Sequence, residues 1–163
     1  MASLDIRLAN PAEAALLAGL IVEAFEQYRG KLMPESGALS ETPETIAREL
    51  ALADHSALLA LSDHVPVGCV MVKPEDGDLY FGRLSVRPAS RGHGIAPALV
   101  RAVEQCASDR GYPAVRLGVR VALPENQRLF ASLGYVEIFR EPHPGFNYPT
   151  SITMRKIVSA RRL

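Results

Sequence analysis

The sequence predicts one α/β domain over residues 1–163, built on a mixed, mostly antiparallel central sheet with helices on both faces. Three observations predict it. Strand-like and helix-like patterns follow one another in the order β, α, α, β, β, β, α, β, α, β, β. Three of these strands are consecutive and separated only by short turns, the pattern of antiparallel neighbours. The stretch from Leu79 to Val119 joins two strands through a long amphipathic helix, which demands a parallel, right-handed crossover.

The elements follow in chain order. Leu4 to Ala9 alternates as a short strand, and Asn10-Pro11-Ala12-Glu13 then supplies an N-cap, a proline at the first helical position and an acid three residues after the cap. The helix that starts there places Leu16, Leu17, Leu20, Ile21, Ala24 and Phe25 on one face, and Tyr28 completes that face and reads as core. Gly30 to Glu41 has no periodicity and reads as a loop. Thr42-Pro43-Glu44 opens a second helix to about Leu52. The runs ALLAL, VPVGCVMV and DLYFGRLSV are strands, with hairpin turns at Ser62-Asp63-His64 and Pro74-Glu75-Asp76-Gly77.

A helix from about Ile95 to Arg110 sets Ile95, Leu99, Ala102, Val103 and Cys106 against Arg101, Glu104, Gln105 and Asp109, and Gly111 suits its C-cap. Val115 to Arg120 is a strand, and Pro124 to Leu133 is a shorter helix ended by Gly134. Tyr135 to Arg140 and Ser151 to Ile157 are two more strands.

Composition excludes several classes. With 48% hydrophobic and 22% charged residues the chain suits a compact domain with a core. Lysine plus arginine and aspartate plus glutamate each total 18, so no global charge favours nucleic acid or an anionic membrane. Any anion site must be local. Cys69 and Cys106 lack the spacing of a disulfide framework or a zinc site, read as reduced core thiols, and leave no metal implied. The N-terminal MASLDIRLAN has no basic stretch followed by an apolar run, and no segment approaches the roughly 20 apolar residues that span a bilayer. The expectation is a soluble cytoplasmic protein.

The chemistry-bearing segment comes directly after the strand Leu79 to Val86. In Arg91-Gly92-His93-Gly94-Ile95-Ala96 three small residues take alternate positions as the long helix begins. Glycine lets the backbone approach a ligand, and a helix's first turn offers unpaired N–H groups at a positive dipole end, together a cradle for phosphate or pyrophosphate. Arg91 adds a formal positive charge. A dinucleotide fingerprint fails because Pro97 stands where its third glycine belongs, and a P-loop fails without a Gly-Lys-Ser/Thr ending.

At Arg91, Gly94 and Ala96 the segment resembles the signature of the GNAT superfamily of N-acetyltransferases: Arg or Gln, two residues, Gly, one residue, then Gly or Ala. Leu84-Ser85-Val86, Leu117-Gly118-Val119, Pro124-Glu125-Asn126 and Leu133-Gly134-Tyr135 also fall where that family has its strands, helix and glycine-aromatic ending. The resemblance runs from about residue 5 to 157 and implies the acyl-CoA N-acyltransferase fold, with acetyl-CoA as co-substrate. It implies that backbone groups of Leu84, Ser85 and Val86 pair with the pantetheine arm and that the amides of Arg91, Gly92, His93, Gly94, Ile95 and Ala96 hold the pyrophosphate. An amide near Val86 would then serve as oxyanion donor. Asn126 falls where relatives contact pantetheine or cap the helix, Phe130 lies on the same helix against the coenzyme, and Tyr28, besides completing a helix face, falls with the loop Gly30 to Leu39 in the part that lines the acceptor site in relatives.

Departures from the family are equally specific. Phe130 stands where many members carry a tyrosine acid, and Leu123 where many carry an asparagine. The strand Leu79 to Val86 offers Tyr80, Arg83 and Ser85 but no carboxylate to act as base. His143 and Tyr148, between the last two strands, are the candidate catalytic groups, because that segment borders the acceptor mouth in relatives and an imidazole titrates in the useful range. The acceptor is a small-molecule or peptide amine, with no nucleic acid and no membrane partner expected, and exposed strand edges in such folds make a homodimer an option. The alternative function is a CoA-binding regulatory module without catalysis. A plain nucleotide-phosphate binder is the third reading.

Overall fold

The computed structural model describes residues 3–159, so the ends of the domain assigned over 1–163 lie outside the described residues. β1 (Leu4–Leu8) leads through a capping box into a 3-10 turn and α1 (Ala14–Phe25); Ala12 N–H donates to the Asn10 side chain and the Asn10 amide to Glu13. A second 3-10 turn, Glu26–Tyr28, continues α1, and a third, Gly37–Ser40, lies within the segment predicted as loop. α2 (Pro43–Leu50) starts on a reciprocal Thr42–Thr45 box.

β2 (Ser56–Ser62), β3 (Val65–Glu75) and β4 (Asp78–Val86) form the antiparallel meander, joined by Asp63-His64 and Asp76-Gly77. All four turn residues have positive φ, between 48° and 83°, as two-residue hairpins with primed turns require. The second turn is shorter than the sequence reading, since Pro74 and Glu75 still pair with Leu79 and Asp78. α3 (Ile95–Asp109), β5 (Ala114–Arg120), α4 (Pro124–Ser132), β6 (Val136–Glu141) and β7 (Ser151–Ile157) complete the chain.

The sheet order is β1-β2-β3-β4-β5-β7-β6, and only β4 and β5 are parallel neighbours. Side chains alternate between its faces. One face buries Val70, Phe81 and Leu117 with Leu99 and Val103 of α3, and the other buries Leu59, Cys69 and Met71 with Leu17, Ile21 and Ile46 from α1 and α2. Cys69 and Cys106 are free thiols; burial pushes the Cys69 thiol up to about 12 and also raises Cys106.

α4 ends on Gly134, with φ 98°. The Gly134 amide donates to the Ala131 carbonyl and the Tyr135 amide reaches back to that of Phe130, the paired bonds of a Schellman stop. This sharp return buries Tyr135 edge-on against Phe81 and Phe130, and its hydroxyl donates to Glu104 of α3 at 2.9 Å.

Candidate active site

β4 and β5 begin as partners and then part. Leu79, Tyr80 and Phe81 pair with Val115, Arg116 and Leu117, and the ladder stops there although both strands run on. At the closed end Asp78, 2% exposed, accepts from Arg155 at 2.7 and 3.1 Å and from Arg116 at 2.9 Å, so one carboxylate ties β4, β5 and β7 together. Those guanidinium groups, Arg155 first, hold its carboxyl below the usual range.

Two features prop the other end open. Opposite Val70, β4 carries one extra residue between the pairs Met71↔Gly82 and Cys69↔Ser85, and this bulge places Arg83 at φ 55°, a conformation that costs a non-glycine residue about 1 kcal/mol or more. The Tyr80 ring lies across the opening. A Cβ added at Gly82 would come within 3.2 Å of that ring, and one at Gly118 within 3.3 Å of its hydroxyl, so a side chain at either position would press on Tyr80 by a few tenths of an ångström. A cleft of about 1400 Å³ fills the space from the head of α3, between the parted strands, to the segment before α2.

Beyond Phe81 the edge of β4 has no β5 partner. The Arg87 amide donates to Val67 on β3, so alternation turns the backbone groups of Val86 and Leu84 toward the cleft. Leu84 and Val86 line it; Ser85 instead faces the interior, 1% exposed, and its hydroxyl donates to the Arg83 carbonyl. The sequence expectation of three coenzyme-facing residues on this strand therefore narrows to two.

At the head of α3, Gly92 and Gly94 have φ 81° and 77°, and a Cβ at either would meet open space. Gly94 is the N-cap and no side chain caps the helix. The first-turn amides are thus open to a ligand at the positive dipole end, which fits a diphosphate. Arg91, Ile95 and Ala96 also line the cleft, whereas His93 is exposed, folds back on the carbonyls of Ser90 and Arg91 and does not line it. The Arg91 guanidinium donates to the Ala24 carbonyl at 3.0 Å, tying this turn to the last turn of α1.

On the opposite wall Asn126 and Phe130, one turn apart on α4, both face the cleft. Phe130 has a packing role that its sequence position did not reveal: its ring meets Phe81 and Tyr135 at 5.9 and 6.4 Å and seals the base of the opening. Tyr28, read from the sequence as core, is half-buried at the cleft, where its hydroxyl accepts from Asn126 at 3.3 Å. The helical pattern that suggested a buried ring is correct for α1 only as far as Phe25; the 3-10 turn rotates Tyr28 outward.

The two candidate catalytic groups are separated. His143 lines the cleft, and its ring nitrogen Nδ1 and backbone amide both meet the Thr150 hydroxyl oxygen. Burial, and then Arg120, hold the imidazole below its usual pKa, so it is neutral near pH 7. Tyr148 does not line the cleft; it is 53% exposed and stacks edge-on against Phe146 at 5.7 Å. Two groups that the sequence did not single out for the site, Arg120 and Glu41, also face the cleft.

The fold and this cleft define a class before any particular chain is considered: a sheet opened between two parallel strands beside an anion-accepting helix head. The model of the acetyltransferase (GNAT) family matches residues 21–135, more than two thirds of the chain, and the chain belongs to that family. Solved structures share its fold at low identity. The PaiA N-acetyltransferase of Thermoplasma acidophilum in complex with coenzyme A is 20% identical with a TM-score of 0.75, covering 95% of this chain and 99% of its own. The ribosomal-protein-S18-alanine N-acetyltransferase of Escherichia coli is 16% identical with a TM-score of 0.74, covering 98% and 97%. YncA of Salmonella typhimurium, solved with acetyl-CoA, is 16% identical with a TM-score of 0.71, covering 99% and 97%. No curated protein matches in sequence.

Proposed function

We propose that the chain moves the acetyl group of acetyl-CoA directly to a primary amine on a small molecule or peptide, as a single cytoplasmic domain. The observation that carries this reading is the meeting, in one cleft, of an unpaired strand edge and an uncapped helix head. The first suits the amide-bearing pantetheine arm, and the second suits a diphosphate. Leu84, Val86, Gly92, Gly94, Ile95 and Ala96 hold the coenzyme mainly by backbone, with Asn126 and Phe130 on the far wall.

In the transfer, the amine nitrogen forms a bond to the thioester carbonyl carbon, the C–S bond breaks, and one amine proton must leave. The cleft-side amide of Leu84 or Val86 stabilises the carbonyl oxygen as charge develops. His143 takes the proton at Nε2, which requires that Nδ1 carry its own hydrogen and donate it to Thr150. Phe130 has no hydroxyl for the departing sulfur. Tyr28, bonded to Asn126 one turn before Phe130 on α4, brings a phenol to that wall and supplies the proton. The demand is modest, since a thiol with a pKa of about 8.5 leaves readily as thiolate.

The test is free-thiol release from acetyl-CoA across a panel of primary amines, with coenzyme A affinity measured in parallel by calorimetry. Turnover with at least one amine is expected. Tight coenzyme binding with no turnover for any amine would replace the enzyme by a regulatory module, the reading that Phe130 favours. ATP or NAD competing as strongly as coenzyme A would reduce the site to a general nucleotide-phosphate binder.

A further inference from the structure

Two guanidinium groups reach the acceptor end of the cleft from opposite sides of the strand opening. Arg83 stands on the β4 bulge, two residues past the last ladder position of that strand, and Arg120 ends β5, three residues past its own. Both reach the segment before α2. Arg83 donates through Nε to Glu41 at 3.2 Å, and its terminal nitrogen lies 3.1 Å from where a Cβ on Gly37 would stand; Arg120 donates to the Glu35 carbonyl at 3.5 Å.

The pair is short of negative charge. Glu41 is also the acceptor of the Thr45 hydroxyl and serves one arginine only. Glu35 is exposed, with its carboxylate accepting from the Gly30 amide. Among the described residues no carboxylate lies within ion-pair distance of Arg120, which is half-buried; its burial and then the Arg83 charge disfavour its own charge, and the Glu35 charge offsets them only in part. His143, on the same wall, feels the Arg120 charge as well. Holding an arginine in a left-handed bulge within electrostatic reach of a second arginine is unfavourable, and the single ion pair to Glu41 answers only one of the two charges. An anion bound between the two removes the repulsion, and a planar fork of N–H donors suits an oxyanion.

We propose that Arg83 and Arg120 are the specificity subsite for a negatively charged oxygen group on the acceptor, so that the substrate is an amine that also carries a carboxylate or a phosphate. This rests on the acetyl-transfer reading and narrows it. The anionic end docks on the two arginines, and the amine points back toward the parted strands and His143.

The test compares matched pairs that differ in that charge, amino acids with their carboxamides and ethanolamine phosphate with ethanolamine, with each kcat/KM referred to the neutral-amine fraction of the acceptor at the assay pH. In the wild-type protein the anionic member of the productive pair is favoured in kcat/KM on the order of 10- to 100-fold, the effect of a charged hydrogen-bonded contact. Which pair responds separates carboxylate from phosphate. Arg120→Gln collapses that ratio toward one and Arg120→Lys restores part of it. A merely structural arginine would lower both members alike and leave the ratio unmoved, which overturns the proposal, as does equal use of both members by the wild type.

A second measurement does not depend on turnover. The side-chain Nε–H signals of Arg83 and Arg120 are followed by NMR during titration with N-acetylglycine, N-acetylglycinamide, N-acetylethanolamine phosphate and N-acetylethanolamine. Shifts caused by an acid and not by its neutral partner support the subsite; no shift, or equal shifts, sinks it. Coenzyme A added to the same sample moves the amides of Gly92, Gly94 and Ile95. Failure there would count against the acetyl-CoA site itself, whatever the arginines do.

Discussion

The two ends of the β4–β5 pair are built on opposite principles. At the closed end a buried carboxylate is matched by opposite charge, and Asp78 draws Arg116 and Arg155 onto its two oxygens. At the open end the backbone ladder stops, glycines at 82 and 118 make room for one tyrosine ring, and two arginines line the same cleft. The first end spends its polar groups on itself. The second leaves the β4 edge and the helix-head amides unpaired and gives its two arginines one carboxylate partner between them.

Breaking the closed end has the largest expected effect. Asp78→Ala leaves Arg155 without its carboxylate and Arg116 with Asp76 alone, and lowers stability by about 3 kcal/mol in denaturant melts, since removing one partner of a buried pair costs more than the pair itself is worth. If the loss is under about 1 kcal/mol, the clamp does not hold the strands together.

The open end responds in ligand binding instead. Gly94→Val puts a side chain where the cleft has open space and lowers coenzyme A affinity on the order of 100-fold by calorimetry, while the positive φ costs about 1–2 kcal/mol of stability. Unchanged affinity would move the phosphate site elsewhere. His143→Gln reduces turnover by roughly 100-fold. In the wild type the acid limb of kcat/KM falls below about pH 6.5, because burial and Arg120 lower the imidazole pKa; the variant loses that limb. A limb that survives the substitution assigns the proton to another group.

Smaller effects sharpen the contrast. The Asp78 carboxyl titrates below its unfolded value of about 3.9, so its stabilisation is fully present above that pH and is lost as pH falls through the lower native value. The gap in melting temperature between the wild type and Asp78→Asn therefore narrows only below about pH 4. Phe130→Tyr keeps the aromatic cluster and returns a hydroxyl to α4, so turnover stays within about threefold or rises. A tenfold loss would show that the ring edge has no room for oxygen.

The fold was legible because its signals are local. Capping boxes at Asn10 and Thr42, the hairpin residues and the glycine stops at 111 and 134 each act within a few positions. The helix head at Gly94 was legible for the same reason. On the other side of the cleft only Tyr28 and the loop after it were legible, through the resemblance, and their partners were not: Tyr28 meets Asn126 across 98 residues, and Arg83 meets Glu41 across 42. Nothing in Gly82-Arg83-Leu84 announces a bulge, since the residue in the left-handed position is an arginine where a glycine would have signalled it. Ser85 was expected at the coenzyme because the resemblance assigns the whole run Leu84-Ser85-Val86, and a motif of consecutive residues does not say which of them alternation turns inward. Arg120 carried one usable signal, its place at the carboxyl end of a parallel strand beside the crossover.

The burial of Cys69 has a practical consequence at the bench. A disulfide reagent attacks thiolates, and a sulfur whose pKa is pushed up to about 12 in the core stays dark to it, while the partly buried Cys106 reacts slowly. Colour from the folded protein alone therefore gives a low baseline, against which thiol released from an added thioester can be counted, and a sudden extra signal from Cys69 marks the moment the protein unfolds.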